Sequence, residues 1–294
     1  MTTAANIVSN TNTATCTTVA QLRQHIKAWQ KQNLTVGFVP TMGALHVGHM
    51  SLVEIAKKTC DRVVVSIFVN PTQFNRPDDL ANYPRLIDQD MERCRNAAAD
   101  LVFHPDVKEV YPGGYNSKVQ VGDITGRWEG NFRPGHFDGM STVVCKLFNM
   151  VTPTHAFFGE KDFQQLQVIR AMVRDLNIPI EIIGCPTIRE KDGLACSSRN
   201  MLLKPEHRAI APAFYASLIA AAKSLRAGED PGKVSVDIMT ELRKAGFDKI
   251  DYIGVADNDM LQPLTAPAKS GRILGAAWLG NVRLIDNIDI NEGA

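Results

Sequence analysis

Apolar stretches of strand length alternate with helical periodicity through the first two-thirds of the chain. Residues 63–69 (VVVSIFV) are apolar almost throughout, the pattern of a strand covered on both faces. Residues 35–39 (TVGFV) read as a second strand, and 51–59 as a short amphipathic helix with Leu52, Ile55 and Ala56 on one side. Helical period recurs at 85–99, 141–151 and 162–176, with short strands expected at 100–103, 156–158 and 180–183. This β-α-β-α order predicts an α/β fold, a Rossmann-like parallel sheet with helices on both faces. Ligands of such sheets sit beyond the carboxyl ends of the strands, so chemistry is sought there.

The final third has a different rhythm. Two helical stretches, 205–225 and 233–245, flank the loop AGEDPG at 227–232, and strands are expected at 250–256, 273–278 and 282–285. That is a smaller C-terminal α+β unit. The boundary falls near 186–190, after the last strand of the first unit, dividing the chain into 19–187, which carries the parallel sheet, and the smaller unit 188–294. Residues 1–18 hold seven Thr and three Asn without a charge or an apolar block. They lack the basic start and apolar centre of a secretion signal and read as a flexible extension.

Length and charge narrow the classes. The 294 residues suit about two domains. With 32 Lys+Arg against 31 Asp+Glu, the net charge of +1 counts against a nucleic-acid binder but leaves room for a small anionic ligand. The longest apolar run is far short of the roughly 20 residues that span a bilayer. The six cysteines, at 16, 60, 94, 145, 185 and 196, have neither zinc-knuckle nor C-x-x-C spacing and read as reduced cytosolic thiols.

Five segments carry polar groups at strand ends. In PTMGALHVGH (40–49), glycines at a strand-to-helix turn allow close ligand approach, and His46 and His49 add imidazole donors at a helix start, as a polyphosphate requires. A turn with incidental histidines and a metal-binding His pair are the competing readings, the latter without an evident third ligand. SIFVNPTQF (66–74) ends a strand on Asn70 and brings up Gln73, or is simply an Asn-Pro turn. FFGEKDFQQLQ (157–167) puts Lys161 before a helix, where a cation needs an anion beside it, with Asp162 as candidate N-cap. Only one of Gln164 and Gln165 is expected to face the site. CSSRN (196–200) is a phosphate clamp or a capped helix with a surface Arg. GNFRPGHFDG (130–139) offers Arg133 and His136, or serves as a plain connection.

His-x-Gly-His at such a turn resembles the signature of the nucleotidylyltransferase superfamily. The wider set resembles the pantothenate synthetase (pantoate–β-alanine ligase) family from about Val19 to Ile288: PTMGALHxGH, FVNPxQF, YPR at 83–85, RPGHFxG at 133–139, FGEKDFQQL at 158–166, xSSRN at 197–200 and AAWLGxxRLIDN at 276–287. The resemblance implies a ligase that activates (R)-pantoate with ATP as pantoyl adenylate. β-Alanine then attacks to give pantothenate and AMP. It implies ATP contacts from Pro40, Thr41, Met42, Gly43, Ala44, Leu45, His46, Val47, Gly48 and His49. Gly159, Glu160, Lys161, Asp162, Ile188, Cys196, Ser197, Ser198 and Arg199 are implied for the same nucleotide. His46, His49, Lys161 and Arg199 are the implied catalytic groups, with His49 in the place usually assigned as proton donor. Met42, Asn70, Gln73, Arg133 and Gln165 are expected on the substrate side. Mg²⁺ would accompany ATP, held mostly by phosphates with no metal-ligand set in the protein. A cytoplasmic homodimer, with no nucleic acid or membrane partner, is the implied state.

Three positions depart from the pattern. Thr72 stands where Met is common, with an altered apolar wall beside pantoate as the expectation, Cys196 replaces a Met or Leu, and Ile188 replaces a Val, with its main-chain contact expected to survive. Rival readings are a nucleotidyl transferase that keeps AMP on its product, a tRNA-binding relative of synthetases, and a non-catalytic nucleotide sensor.

Overall fold

The computed structural model describes residues 13–75 and 80–292. Six parallel strands form one sheet in the order β1-β4-β3-β2-β5-β6. They are β1 Ala14–Cys16, β2 Val36–Thr41, β3 Arg62–Ile67, β4 Leu101–Phe103, β5 His155–Gly159 and β6 Glu181–Cys185. The order reverses between β2 and β5, which pair through Gly37↔His155 and Phe38↔Ala156. Helices α1 Val19–Gln30, α2 Val47–Thr59, α3 Ile87–Asn96, α4 His136–Val151 and α5 Phe163–Asp175 cover the sheet. Val63, Val64 and Val65 on the β3 run are fully buried, as expected of a strand packed on both faces.

The extension expected over 1–18 overlaps the fold. Residues 1–12 lie outside the described residues, but Ala14–Cys16 pair in parallel with Leu101–Phe103 as the edge strand. Thr18 then caps α1 in a capping box with Gln21. A Thr-rich composition hid both features, because Thr serves an edge strand and an N-cap equally well.

The C-terminal third is an antiparallel sheet, β7-β8-β9, of Lys249–Ala256, Arg272–Leu279 and Val282–Asp289. The single helix expected over 205–225 is two, α6 Pro205–Ile210 and α7 Ala213–Arg226. Pro212 at the junction has no N–H to give and crowds the preceding turn. Helix α8 spans Pro231–Ala245. Phe214, Leu218, Ile238, Leu242, Ile253 and Ile273 build a core of their own, while Ala256, Leu261 and Leu274 pack into the larger core of the first unit. The two units therefore meet on apolar side chains.

Among the described residues, no helix is long and apolar enough to cross a membrane.

Candidate active site

The turns after β2 and β5 leave the sheet side by side at the reversal point, where doubly wound sheets hold ligands. A cavity of about 230 Å³ opens there. Of the expected nucleotide segment, Pro40, Thr41, Met42, His46, Gly48 and His49 line it. Gly159, Lys161, Asp162, Gln165, Ile188 and Cys196, Ser197, Ser198 and Arg199 do too, together with Asn70, Gln73 and Arg133.

Five expected contacts are not in that lining. Leu45 is core, and Val47 is 60% exposed on the outer side of α2. Gly43 takes φ +81, a left-handed turn that suits glycine. The Ala44 and Leu45 amides donate to the two carboxylate oxygens of Asp90 at 2.8 and 2.7 Å rather than to a ligand. Glu160 is turned toward Arg272 at 3.6 Å. Asp90, on α3 and only 2% exposed, thus fixes the loop that presents the histidines. It lies outside every quoted motif, and only a charge inside an amphipathic helix hinted at it.

At the start of α2 backbone amides are engaged by the histidine rings. The Gly48 N–H donates to His46 Nδ1 at 3.2 Å, and the His46 N–H donates to His49 Nδ1 at the same distance. Each Nδ1 is an acceptor, so each neutral ring carries its proton on Nε2. Burial, reinforced by Lys161, depresses the pKa of His46 to about 4. Burial, His46 and Lys161 depress that of His49 to about 3. At neutral pH both present Nε2–H as uncharged hydrogen-bond donors.

His136 has the opposite tautomer. Its Nδ1 is 2.8 Å from the Gln73 carbonyl, which can only accept, so Nδ1 carries the proton. Burial and then Arg133 lower its pKa to about 4. The unfolded chain, with imidazoles near 6.5, binds protons first as pH falls. Stability is therefore full above about pH 6.5 and drains away toward pH 4, by up to about 1.4 kcal/mol per pH unit for His136, which is 6% exposed. The melting temperature should drop across this window and the slope should flatten in His136→Gln. A flat pH series for the unaltered chain would refute the assignment.

Lys161 is held from behind. Asn287 on β9, 3% exposed, donates from Nδ2 to the carbonyls of Glu160 and Lys161 at 3.0 and 2.8 Å, and its Oδ1 accepts from Arg272. Asp162 sits at the N-cap position of α5 but makes no side-chain cap bond, a departure from expectation. Its carboxylate lies 3.9 Å from Lys161 Nζ. Gln164 turns away from the cavity and bonds the Glu129 amide and the carbonyls of Ile124 and Arg127, which leaves Gln165 to face the ligand space.

The Ser-Ser-Arg turn is tied to the cavity wall: the Cys196 N–H donates to the Ile188 carbonyl at 2.9 Å, and Ser197 Oγ caps the short helix that follows by accepting the Arg199 N–H at 3.3 Å. Arg189, next to Ile188, makes a two-pronged contact with Asp286 at 2.7 and 3.0 Å and stacks over Tyr215. Thr72 does not form an apolar wall. Its side chain leaves the cavity and puts its hydroxyl 3.0 Å from Asn70 Oδ1. Gly139 packs against this turn so closely that a Cβ there would lie 2.3 Å from the Thr72 carbonyl oxygen.

Paired imidazole donors, a lysine and a Ser-Ser-Arg turn at the reversal point of a parallel sheet define a nucleotide-binding α/β enzyme of the His-x-Gly-His type. The family model for pantoate-beta-alanine ligase matches residues 14–289, and the chain belongs to that family, whose members are ligases. A pantothenate synthetase from Cereibacter sphaeroides is 49% identical over 273 residues, 93% of this chain and 98% of the relative. One from Aquifex aeolicus is 48% identical over 271 residues, 92% and 96% of the two chains. The crystal structure of a pantothenate synthetase from Thermus thermophilus has a TM-score of 0.89 at 44% identity, covering 94% of this chain and 99% of that one. A Francisella tularensis pantoate-beta-alanine ligase, complexed with beta-gamma ATP and beta-alanine, has a TM-score of 0.81 at 38% identity, covering 96% and 99%.

Proposed function

We infer that the chain condenses (R)-pantoate with β-alanine, driven by cleavage of ATP. A pantoate carboxylate oxygen attacks the α-phosphorus, pyrophosphate leaves, and pantoyl adenylate forms. The β-alanine amine then attacks the acyl carbon, AMP leaves with the bridging oxygen, and a proton is lost from nitrogen to give pantothenate. The observation that carries this reading is one cavity lined by both phosphate donors, His46, His49, Lys161 and Arg199, and amide groups suited to a hydroxy acid, Gln73 and Gln165. Such a site works by positioning and by stabilising charge as the phosphate bond breaks.

His46 and His49 donate from Nε2 to the departing phosphates, and Lys161 neutralises them. The Ser197–Arg199 turn closes on the same groups, and the Ile188 main chain on the cavity wall takes the base. Gln73 and Gln165 hold pantoate, with Arg133 alongside. Asp162 is the one carboxylate lining the cavity among the described residues, and no group of three His, Cys, Asp or Glu there could hold a metal. That donor set fits Mg²⁺ carried mainly by the polyphosphate, with Asp162 as a protein contact; the ion supplies charge neutralisation. The proposed division falls between 187 and 188: a nucleotide- and pantoate-binding unit that also takes in the edge strand at Ala14–Cys16, and 188–294 as lid. A cytoplasmic homodimer is carried over from the resemblance.

Incubation with ATP, pantoate and β-alanine should release AMP in a one-to-one ratio with amide, and omission of any substrate should abolish it. AMP retained on the product, or no pantoate-dependent turnover, would overturn the reading.

A further inference from the structure

Gln73 enters the cavity with its side-chain amide already oriented. Main-chain groups fix the polarity of the residue that orients it. The Thr72 N–H donates to Asn70 Oδ1 at 3.4 Å, and Asn70 Nδ2 donates to the Gly139 carbonyl at 3.2 Å. A peptide N–H can only donate and a carbonyl can only accept, so the Asn70 amide has one orientation. Its Nδ2 also donates to Gln73 Oε1 at 2.9 Å. Oε1 is thereby engaged, and Gln73 presents its NH₂ group, which reaches Met42 Sδ at 3.2 Å on the cavity wall. The Gln73 main chain is pinned as well, its carbonyl accepting from His136.

The far end of this relay is Tyr111. Its hydroxyl donates to Asn70 Oδ1 at 2.8 Å, the shortest bond that oxygen receives. The Thr72 hydroxyl lies 3.0 Å from the same oxygen and 3.3 Å from the Tyr111 hydroxyl. Tyr111 does not line the cavity; its ring packs beside Phe68 and Tyr115, with the Lys146 ammonium 5.7 Å from its centroid.

We propose that Tyr111 is a positioning residue for the reaction: through Asn70 it holds Gln73 as a hydrogen-bond donor toward an oxygen acceptor of the hydroxy-acid substrate. This rests on the reading of Gln73 as a pantoate ligand. It also makes Asn70 a bridge rather than a substrate contact, since both its side-chain polar atoms are engaged within the relay. Thr72, at a position where Met is common in the family pattern, adds a second hydroxyl to the same oxygen in this chain.

Tyr111→Phe keeps the ring contacts and removes only the donor. Steady-state assays should give a KM for pantoate raised about threefold to tenfold, the range of one lost hydrogen bond, with KM for ATP unchanged. Tyr111→Phe with Thr72→Val should raise it further, because only the long Thr72 N–H contact then remains on Asn70 Oδ1. In a Gln73→Ala background, Tyr111→Phe should add nothing. An unchanged pantoate KM in the double variant, an equal rise in both KM values, or a full further loss on top of Gln73→Ala would each overturn the proposal. An unaltered chain that turns over no pantoate would instead strike the ligase reading, and the relay's substrate with it.

Discussion

Replacing His49 by alanine should slow pantoate-dependent exchange of labelled pyrophosphate into ATP by about 10²-fold or more, the loss seen when one preorganised donor to developing charge is removed. Geometry gives His49 this weight. Its Nδ1 is committed to the His46 amide, so its Nε2–H is directed by the backbone rather than by a mobile side chain. The two rings lie 4.1 Å apart by centroids and share the cavity with Lys161. Burial and the neighbouring positive groups keep the ring uncharged before nucleotide arrives. A neutral donor binds phosphate without needing a counter-charge in the empty site, and phosphate oxygens then favour its protonation as pyrophosphate forms. His49→Asn separates the two duties of the side chain: its carbonyl restores an acceptor for the His46 amide, but its reach is shorter. The melting temperature should recover toward that of the unaltered chain while exchange stays low. Exchange at the unaltered rate in His49→Ala would remove the residue from the mechanism.

The first unit was readable because its strands are continuous apolar runs that end in glycine-bearing turns, and a parallel sheet puts such turns on one edge. The 66–74 segment shows the limit of that reading. Its polar residues announced a site, but spacing cannot tell which amide meets ligand and which meets its neighbour. The hydrogen bonds of Asn70 become visible only when Gly139 and Tyr111 are brought beside it from 69 and 41 positions away. Asp90 and Asn287 escaped for the same reason. Their partners are backbone groups of distant turns, and a side chain that bonds a distant backbone group leaves no periodic mark on the sequence. The C-terminal motif at 276–287 carried a resemblance without a role. On β9 it supplies Arg283 to Glu129, Asp286 to Arg189 and Asn287 to the Lys161 turn, three braces from the second unit to segments around the cavity.

Of those braces, loss of Arg283 should be the most damaging to the fold. Its guanidinium meets both oxygens of Glu129 at 2.8 Å and Asp251 at 2.7 Å, with all three side chains largely buried. Tyr252 adds a hydroxyl to Glu129, and Arg133, which lines the cavity, stands 3.8 Å from the same carboxylate. Burial pushes the Glu129 pKa up, but the Arg283 hydrogen bonds and charge, then Arg133, bring it below the ordinary carboxylate value. Arg283→Ala strands that charge in a dry environment. Breaking a buried pair on one side costs about 3–5 kcal/mol, and the lower end is expected here because Asp251 keeps Lys249 at 2.8 Å. Denaturant melts should register the loss. Arg283→Lys should recover only part of it, since a point charge cannot reproduce the fork. The decisive comparison is Glu129→Gln with Arg283→Met, which removes charge and partner together. If the penalty is the orphaned carboxylate, the pair variant should regain most of the stability lost in Arg283→Ala. A pair variant as unstable as the single one would place the role of Arg283 in packing instead.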